Sequence, residues 1–307
     1  MEKEYIVAKD GSGDFTKVQA AIDAVACGND QPVTIRIKKG VYKEVVTIPA
    51  EKSFIKLVGE DREETVITYD NYAGMLDANG EKIGTFRSPS VFIDGSNVTA
   101  SNLTFENTFF QPGFDAMGRQ AVALSTTGEG NTFINCSFKG YQDTLYAQSG
   151  SCYFLNCYLE GDVDYIFGAA HAVFENCQLH SLDRGSKTEN GYVTAASTKA
   201  SDAYGFLFIN CTLTADETMA PNSVYLGRPW HPSMRMEPVC AATVFMHCEL
   251  GAHIREDGWT NMHDAYPETE RLYEYENTGA GCQINEKRRQ LTAKEVQHCT
   301  KQGVLGW

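Results

Sequence analysis

The chain has 307 residues, of which 42% are hydrophobic, which suits one large globular domain or two ordinary ones. Its formal net charge is −14, and no basic stripe is present to neutralise phosphates, which excludes nucleic acid as a partner. No run approaches eighteen apolar residues, which excludes a membrane-spanning helix. We expect a monomer with a single domain over residues 1–307.

The N-terminal residues carry two signals. The start, MEKEYIVAKDGSG, has no apolar stretch of the kind found in secretory signal peptides. The chain as written predicts a cytoplasmic protein, with a secreted or periplasmic one as the alternative if a leader was trimmed from it. Within about residues 5–30 we expect a strand and then a capping helix, which covers the open end of the fold described next. Thr16 is its predicted N-cap, since apolar residues follow at helical spacing: Val18, Ala21, Ile22 and Val25.

The centre of the chain is repetitive. After an alternating strand at 33–42 (VTIRIKKGVY), one phrase recurs as FINCSF (133–138), FLNCYL (154–159), FENCQL (174–179), FINCTL (208–213) and FMHCEL (245–250). FENTFF (105–110) is interpreted as a looser sixth copy. A period of about twenty residues, built of short β-branched and aromatic runs, predicts a parallel β-helix. The fold class is therefore all-β, with a helical tail (LTAKEVQHCTKQG) within about 270–307 that packs on the β-helix.

Two columns of equivalent residues follow from the repeat. One is a cysteine column, expected to point into the core as small hydrophobes: Cys136, Cys157, Cys177, Cys211 and Cys248. No CxxC or HExxH motif supports a zinc site, so no metal is expected. The other predicts a hydrogen-bonded asparagine ladder at a turn, which His247 interrupts: Asn135, Asn156, Asn176 and Asn210.

Counting along the repeat separates the acids of GDVDYIFG (161–168). Asp143 and Asp164 each come seven residues after a column cysteine, so they stack on adjacent coils, about 4.8 Å apart at the backbone. Asp162 aligns with Tyr141, has no acidic partner, and is expected at the solvated edge of its coil. Three residues beyond the stacked acids, Tyr146 and Phe167 form an aromatic pair.

The stacked acids suit several chemistries. Two carboxylates at this spacing cannot both ionise cheaply, which fits a nucleophile beside a general acid/base. A retaining glycosidase uses the same separation, and a solvated pair without function is the remaining alternative. Gln142 favours acyl transfer, because an amide beside the acid can bind an oxyanion. Since no GxSxG motif occurs, an ester hydrolase here would need aspartate as its nucleophile.

The chain resembles the pectin methylesterases. YQDTLY (141–146), GDVDYIFG (161–168) and YLGRPW (225–230), in this order on a β-helix repeat, form a specific combination. Further matches are GVYKEVV (40–46), GTFRSPSV (84–91), NLTFENT (102–108), RQAVAL (119–124), REDGWTNM and YEYENTGAG. The resemblance implies a right-handed parallel β-helix that removes C6 methyl esters from galacturonate units of methyl-esterified homogalacturonan or its oligomers. It would release pectate and methanol without a cofactor.

The resemblance also implies roles for individual residues. Asp164 matches the nucleophile, Asp143 the general acid/base, and Gln142 the oxyanion donor. Arg228 matches the cation that orients the nucleophile and keeps it ionised, although register alone would put Arg184 beside Asp164. The positions that match the substrate cleft are Trp230, which stacks on sugar, and Gln120, Thr85, Tyr146, Val163, Phe167 and Met262.

Two residues depart from the usual pattern of the family. Met262 stands where many plant relatives have a second tryptophan, which favours the bacterial branch, and Tyr165 replaces a more frequent phenylalanine.

Three rival functions remain. A pectic depolymerase is disfavoured, because neither the NTD, DD and GHG set of the hydrolases nor the basic and calcium-ligand clusters of lyases are found. The second rival is a non-catalytic polysaccharide-binding β-helix, and the third is an esterase that acts on another ester.

Overall fold

A computed structural model describes residues 3–110, 118–233 and 237–307, and every predicted site residue lies within these ranges. Three parallel sheets wind around one axis, and each coil adds a strand to sheet 1, then sheet 2, then sheet 3. This arrangement confirms the parallel β-helix that the repeat predicts.

Each of the 25 strands in the described ranges belongs to one of the three sheets, and within each sheet they follow chain order along the axis. Sheet 1 has ten strands in the described ranges: Lys3–Val7, Val33–Ile37, Ile55–Gly59, Thr99–Ser101, Asn131–Ile134, Ser151–Leu155, His171–Glu175, Phe206–Ile209, Ala242–Met246 and Arg271–Tyr275. Sheet 2, over the same ranges, has eight: Gly40–Lys43, Thr65–Tyr69, Thr104–Asn107, Ser137–Lys139, Tyr158–Gly161, Gln178–Ser181, Thr212–Ala215 and Glu249–Leu250. Sheet 3, likewise counted, has seven: Val46–Ile48, Val91–Ile93, Leu124–Thr126, Leu145–Ala147, Val163–Gly168, Gly191–Ala196 and Val224–Gly227.

The repeated phrase turns the corner from sheet 1 to sheet 2. Its first aromatic residue forms a stack inside the solenoid with ring centroids 4.3 to 4.8 Å apart: Phe133, Phe154, Phe174, Phe208 and Phe245. The column cysteines are buried beside it as predicted, and their thiols donate to main-chain carbonyls, as Cys157 does to Phe133. All ten cysteines are free thiols. The core is therefore a set of matched layers, one for each coil.

The sixth copy of the repeat has a different register from the predicted one. Phe105 pairs with Phe138 in sheet 2, whereas the partner of Phe133 in sheet 1 is Ala100. The true copy is thus residues 100–105, with Leu103 at the cysteine position. In the copy at 133–138 a phenylalanine stands on both sides of the corner, so matching by letters slides from one side to the other.

The asparagine column has a conformational role. Asn135, Asn156, Asn176, Asn210 and His247 all have φ between 52° and 54°, in the left-handed region that asparagine tolerates better than most residues. The Asn135 amide donates to the side chain of Asn102, one coil before the predicted members, at 2.7 Å, and the ladder among the four predicted asparagines stays a prediction. Each of these coils therefore turns from sheet 1 to sheet 2 through one left-handed residue.

The N-terminal helix α1, Val18–Asp23, covers the end of the solenoid and buries Val18, Ala21 and Ile22. Thr16 is not its N-cap, because the Glu44 carboxylate accepts the first amides, from Val18 at 2.9 Å and Gln19 at 3.1 Å. A carboxylate at a helix N-terminus also complements the helix dipole. At the C-terminal end of α1, the Lys52 ammonium donates to the main-chain carbonyls of Ile22 and Asp23. The β-helix thus supplies both caps.

The C-terminal tail starts later than predicted. Arg271–Tyr275 is the last strand of sheet 1, because it pairs with Ala242–Met246 and extends the solenoid by one more coil. The predicted helical stretch, residues 291–303, contains a short 3-10 helix, Val296–His298, and the start of α2, Lys301–Leu305. Val304 and Leu305 pack against the outer face of sheet 1. Two more 3-10 turns lie at Thr85–Arg87 and Pro267–Thr269.

No helix in the described segments is long and apolar enough to cross a lipid bilayer.

The left-handed turn gives a stability prediction at Asn156. Glycine adopts a φ of 54° freely, whereas alanine pays about 1–2 kcal/mol there. Asn156→Ala should therefore lower the free energy of unfolding by about 1 kcal/mol more than Asn156→Gly, measured by denaturant titration. The same two changes at Asn29, which has no positive φ, should reverse the order. Equal stability of the two Asn156 variants would contradict this account.

Candidate active site

A cleft of about 450 Å³ opens on the outer face of sheet 3 and contains most of the predicted site. Its floor is formed by strands Val163–Gly168 and Gly191–Ala196 and by the turns that flank sheet 3. The lining residues are Thr85, Phe86, Gln120, Gln142, Asp143, Asp164, Phe167, Ala195, Arg228, Trp230, Asn261, Met262 and His263.

The two stacked acids occupy equivalent positions on adjacent coils. Leu145 pairs with Ile166, and the Asp143 amide donates to the Val163 carbonyl at 3.0 Å. Both acids have left-handed backbones, with φ of 67° at Asp143 and 50° at Asp164. Such conformations cost about 1–3 kcal/mol each and are common at functional sites. The sheet pairing is also irregular between Val163 and Ile166, so Asp164 sits in a bulge rather than a plain strand.

Arg228 is the partner of Asp164. Its Nε donates to one carboxylate oxygen at 2.9 Å and its terminal nitrogen to the other at 2.7 Å. The guanidinium also lies 3.8 Å from the Tyr192 ring centroid, which restrains its plane. Arg184, the alternative from register, instead binds the main chain and side chain of Asn190 in a loop. On the next coil it is Tyr192, not Arg184, that lies beside this segment, because Tyr192 pairs with Val163, the residue just before Asp164.

The environment separates the two acids chemically. Asp143 is only 8% exposed, and burial raises its pKa well above the usual range, with the charge of Asp164 adding to the rise and Arg228 opposing it. Burial disfavours the Arg228 charge, but the contact with Asp164 outweighs this and raises the pKa of Arg228. Asp143 is therefore the member of the pair that is favoured to keep a proton, and Asp164 is the member bound by a cation.

The remaining predicted residues divide into two groups. Gln142, Gln120, Thr85, Phe167, Trp230 and Met262 line the cleft. Tyr146 is buried behind it, stacked on Phe167 with ring centroids 4.4 Å apart. Val163 is also buried, and it contributes to the site through the carbonyl that binds Asp143. These two positions support the cleft rather than line it.

Sequence reasoning misses two contributors. Phe86 is 58% exposed at the mouth of the cleft, 5.5 Å from the Tyr146 ring and 6.4 Å from Trp230. The feature of the sequence that could have pointed to Phe86 is its position next to Thr85, in a segment that matches the family. Arg119 escapes notice because its partner, Asp162, is expected at a solvated edge.

The structure contradicts the predicted position of Asp162 at the solvated edge of its coil. Asp162 is 2% exposed and forms a buried ion pair with Arg119, which lies 43 residues earlier in the chain. Its other oxygen accepts the Val163 amide at 2.7 Å. The predicted alignment with Tyr141 is seen, since the Asp162 amide donates to the Tyr141 carbonyl at 3.0 Å. Burial raises the pKa of Asp162, while Arg119 and Arg184 oppose the rise.

Comparison with known proteins identifies the family. A sequence model described as Pectinesterase matches residues 4–303. The chain belongs to the pectinesterase family. Among its relatives, Pectinesterase 31 of Arabidopsis thaliana is 37% identical over 303 residues, which cover 95% of this chain and 89% of that protein.

Solved structures agree with this assignment. Pectin methylesterase PemA from Erwinia chrysanthemi is 33% identical and superposes with a TM-score of 0.93, covering 100% of this chain and 98% of that one. A pectin methylesterase in complex with a hexasaccharide is 34% identical, with a TM-score of 0.92 and the same coverage. This pectinesterase is thus a right-handed parallel β-helix and an ester hydrolase that demethylates pectin.

The raised pKa of Asp143 gives a prediction about stability and pH. The folded enzyme keeps this proton to a higher pH than the unfolded chain, whose carboxyl titrates near pH 4. The favourable contribution of the neutral group is thus complete below about pH 4 and is lost as pH rises through the folded pKa. Asp143→Asn stays neutral, so its melting temperature relative to wild type should increase as pH rises above about 4. A difference independent of pH would contradict the raised pKa.

Proposed function

We propose that this pectinesterase hydrolyses the methyl ester with Asp164 as nucleophile and Asp143 as general acid/base, through a covalent acyl-enzyme. The observation that carries the proposal is the forked Arg228–Asp164 contact beside a buried Asp143. A carboxylate nucleophile must be ionised and aimed, and a two-point guanidinium contact does both. A neighbouring carboxyl that keeps its proton is a ready acid.

In the first half-reaction, an Asp164 oxygen attacks the C6 carbonyl carbon of a methylated galacturonate. The carbonyl oxygen takes up negative charge, which the Gln142 side-chain amide stabilises by donating a hydrogen bond. When the tetrahedral intermediate collapses, the bond from C6 to the methoxy oxygen breaks and Asp143 gives its proton to that oxygen. Methanol leaves, and an anhydride joins Asp164 to the sugar.

In the second half-reaction, Asp143 is a carboxylate and acts as the base. It takes a proton from a water molecule, whose oxygen attacks C6 of the anhydride. The bond from C6 to Asp164 breaks, which regenerates the Asp164 carboxylate held by Arg228 and the protonated Asp143. The net reaction consumes one water and gives methanol and a galacturonic acid, which ionises in solution.

For the substrate, we propose methyl-esterified homogalacturonan or its oligomers. Trp230 and Phe86 present aromatic surface at the cleft, and stacking on such rings is a common way to bind sugars. Gln120 adds an amide donor and acceptor to the lining. The hexasaccharide complex of a 34% identical relative supports an oligosaccharide-sized binding site here.

The nucleophile assignment is tested with Asp164→Asn. An amide is a poor nucleophile, so methanol release from methylated pectin should fall at least 10⁴-fold, roughly the size seen when a nucleophile is removed. Circular dichroism and the melting temperature report whether the variant is folded. Asp70→Asn, which removes a surface partner of Lys43, is the matched control and should keep wild-type activity. Substantial turnover by folded Asp164→Asn would contradict the mechanism.

The oxyanion role is tested with Gln142→Ala. Loss of one such donor should lower kcat about 10²- to 10³-fold with little change in KM, because the bond forms mainly in the transition state. Rates on methylated pectin and on a simple acyl ester, together with an assay for new reducing ends, separate demethylation from depolymerase or general esterase activity. An unchanged kcat would remove Gln142 from the mechanism.

A further inference from the structure

The buried pair of Arg119 and Asp162 lies beside the reaction centre, yet neither residue lines the cleft. Only 7% of Arg119 and 2% of Asp162 are exposed. A buried ion pair offers little net stability over apolar residues of the same volume, since both charges must be desolvated. Its position therefore calls for another explanation.

The pair crosses three consecutive coils. Leu124 pairs with Leu145, and Leu145 with Ile166, so Arg119 belongs to a coil two before that of Asp162. The guanidinium reaches across the intervening coil, which contains Gln142 and Asp143. Forming the contact requires the three coils to stay in register at this corner.

Main-chain hydrogen bonds connect each end of the pair to a proposed functional residue. On the Arg119 side, the Ala121 amide donates to the Gln142 carbonyl at 3.1 Å. On the Asp162 side, a carboxylate oxygen accepts the Val163 amide at 2.7 Å, and the Val163 carbonyl accepts the Asp143 amide at 3.0 Å. The same carboxylate thus orients the residue just before Asp164.

The local backbone explains why such bracing is needed. Asp143 and Asp164 both have left-handed φ, and the sheet pairing is irregular between Val163 and Ile166. A bulge lacks part of the regular ladder, so other contacts must hold its geometry. Asp162 adds a bond at that point.

We infer that the Arg119–Asp162 ion pair is a brace that positions Gln142, Asp143 and Asp164, although neither of its members contacts substrate. This inference rests on the mechanism proposed above. A displacement near 1 Å at a reacting group costs up to about a hundredfold in rate, so a brace at this place has kinetic consequences.

The pair also acts on Asp143 through its charges. Burial is the largest cause of the raised pKa of Asp143; among nearby charges, Asp164 and Asp162 raise it and Arg228 and Arg119 lower it. Replacing Asp162 by a neutral amide removes one raising charge, so the pKa of Asp143 should fall. A residue that only stabilised the fold would leave this titration unchanged.

The experiment compares the wild type with Asp162→Asn, Arg119→Met and Arg119→Lys. For Asp162→Asn we expect kcat to fall about tenfold to a hundredfold with KM nearly unchanged, and the alkaline limb of kcat/KM to move to lower pH. Arg119→Lys keeps the charge and should recover part of the kcat that Arg119→Met loses. If Arg119→Met does not fold, Arg119→Lys still tests the brace.

A matched control is available at the far end of the solenoid. Glu274 forms a fully buried pair with Arg288, with nitrogen–oxygen distances of 2.7 and 2.5 Å. Glu274→Gln makes the same chemical change as Asp162→Asn, away from the cleft. It should lower the melting temperature and leave kcat and the alkaline limb as in the wild type.

A readout independent of turnover separates this inference from the proposed function. Carboxyl ¹³C NMR of the enzyme labelled at aspartate, with Asp143→Asn identifying the signal, follows the Asp143 titration directly. If the wild type releases no methanol but Asp162→Asn lowers the Asp143 titration, the proposed function fails and the action of the pair on Asp143 stands. If the wild type turns over and Asp162→Asn changes neither kcat nor the titration, the brace is wrong.

Discussion

The forked contact between Arg228 and Asp164 is the interaction on which the rest of the site depends. Two carboxyl groups stacked one strand spacing apart cannot both be charged in a buried cleft without a cation. Arg228 binds both oxygens of Asp164, while burial and the charge of Asp164 raise the pKa of Asp143 well above its usual range. In the proposed mechanism, the same contact that makes the stack tolerable therefore divides the roles of nucleophile and acid.

The β-helix makes this division possible because it repeats one backbone position every coil. Asp143 and Asp164 are equivalent residues of successive coils, and both take a left-handed φ that a regular strand does not allow. The left-handed turn lifts the side chains out of the strand alternation and into the cleft. Gly161, just before this segment, is required by crowding, since a side chain there would lie 2.2 Å from the Tyr165 Cβ.

The repeat accounts for what could be predicted from the sequence. Cys136 and Cys157 occupy one position of successive coils, so counting from them is enough to find the stacked acids. Matching the phrase by its letters misplaces the sixth copy, because Phe105 and Ala100 stand on opposite sides of one corner. Counting from the cysteines also leaves Arg184 as a rival, since the loop before strand Gly191–Ala196 shifts the register of that coil.

The burial of Asp162 could not be found by counting, and the reason is physical. Its environment depends on a side chain two coils away, and Arg119 is separated from it by 43 residues. The capping of α1 by Glu44 is a similar case, because the helix and its cap lie in different elements. Contacts between equivalent residues of successive coils can be predicted from the repeat period. Contacts between residues at different positions of the repeat can be seen only in the folded chain.

Two arginines act on one short segment from opposite directions. Arg119 reaches forward across one coil to Asp162, and Arg228 reaches back across one coil to Asp164. Lysine has a similar reach but donates from a single point, so it would hold the charge without fixing the plane of the carboxylate. Parity in a strand makes Asp162 and Asp164 look equivalent, but the bulge between Val163 and Ile166 separates their environments. Asp162 is thereby buried in an ion pair that does not line the cleft, and Asp164 is presented to the cleft in contact with Arg228.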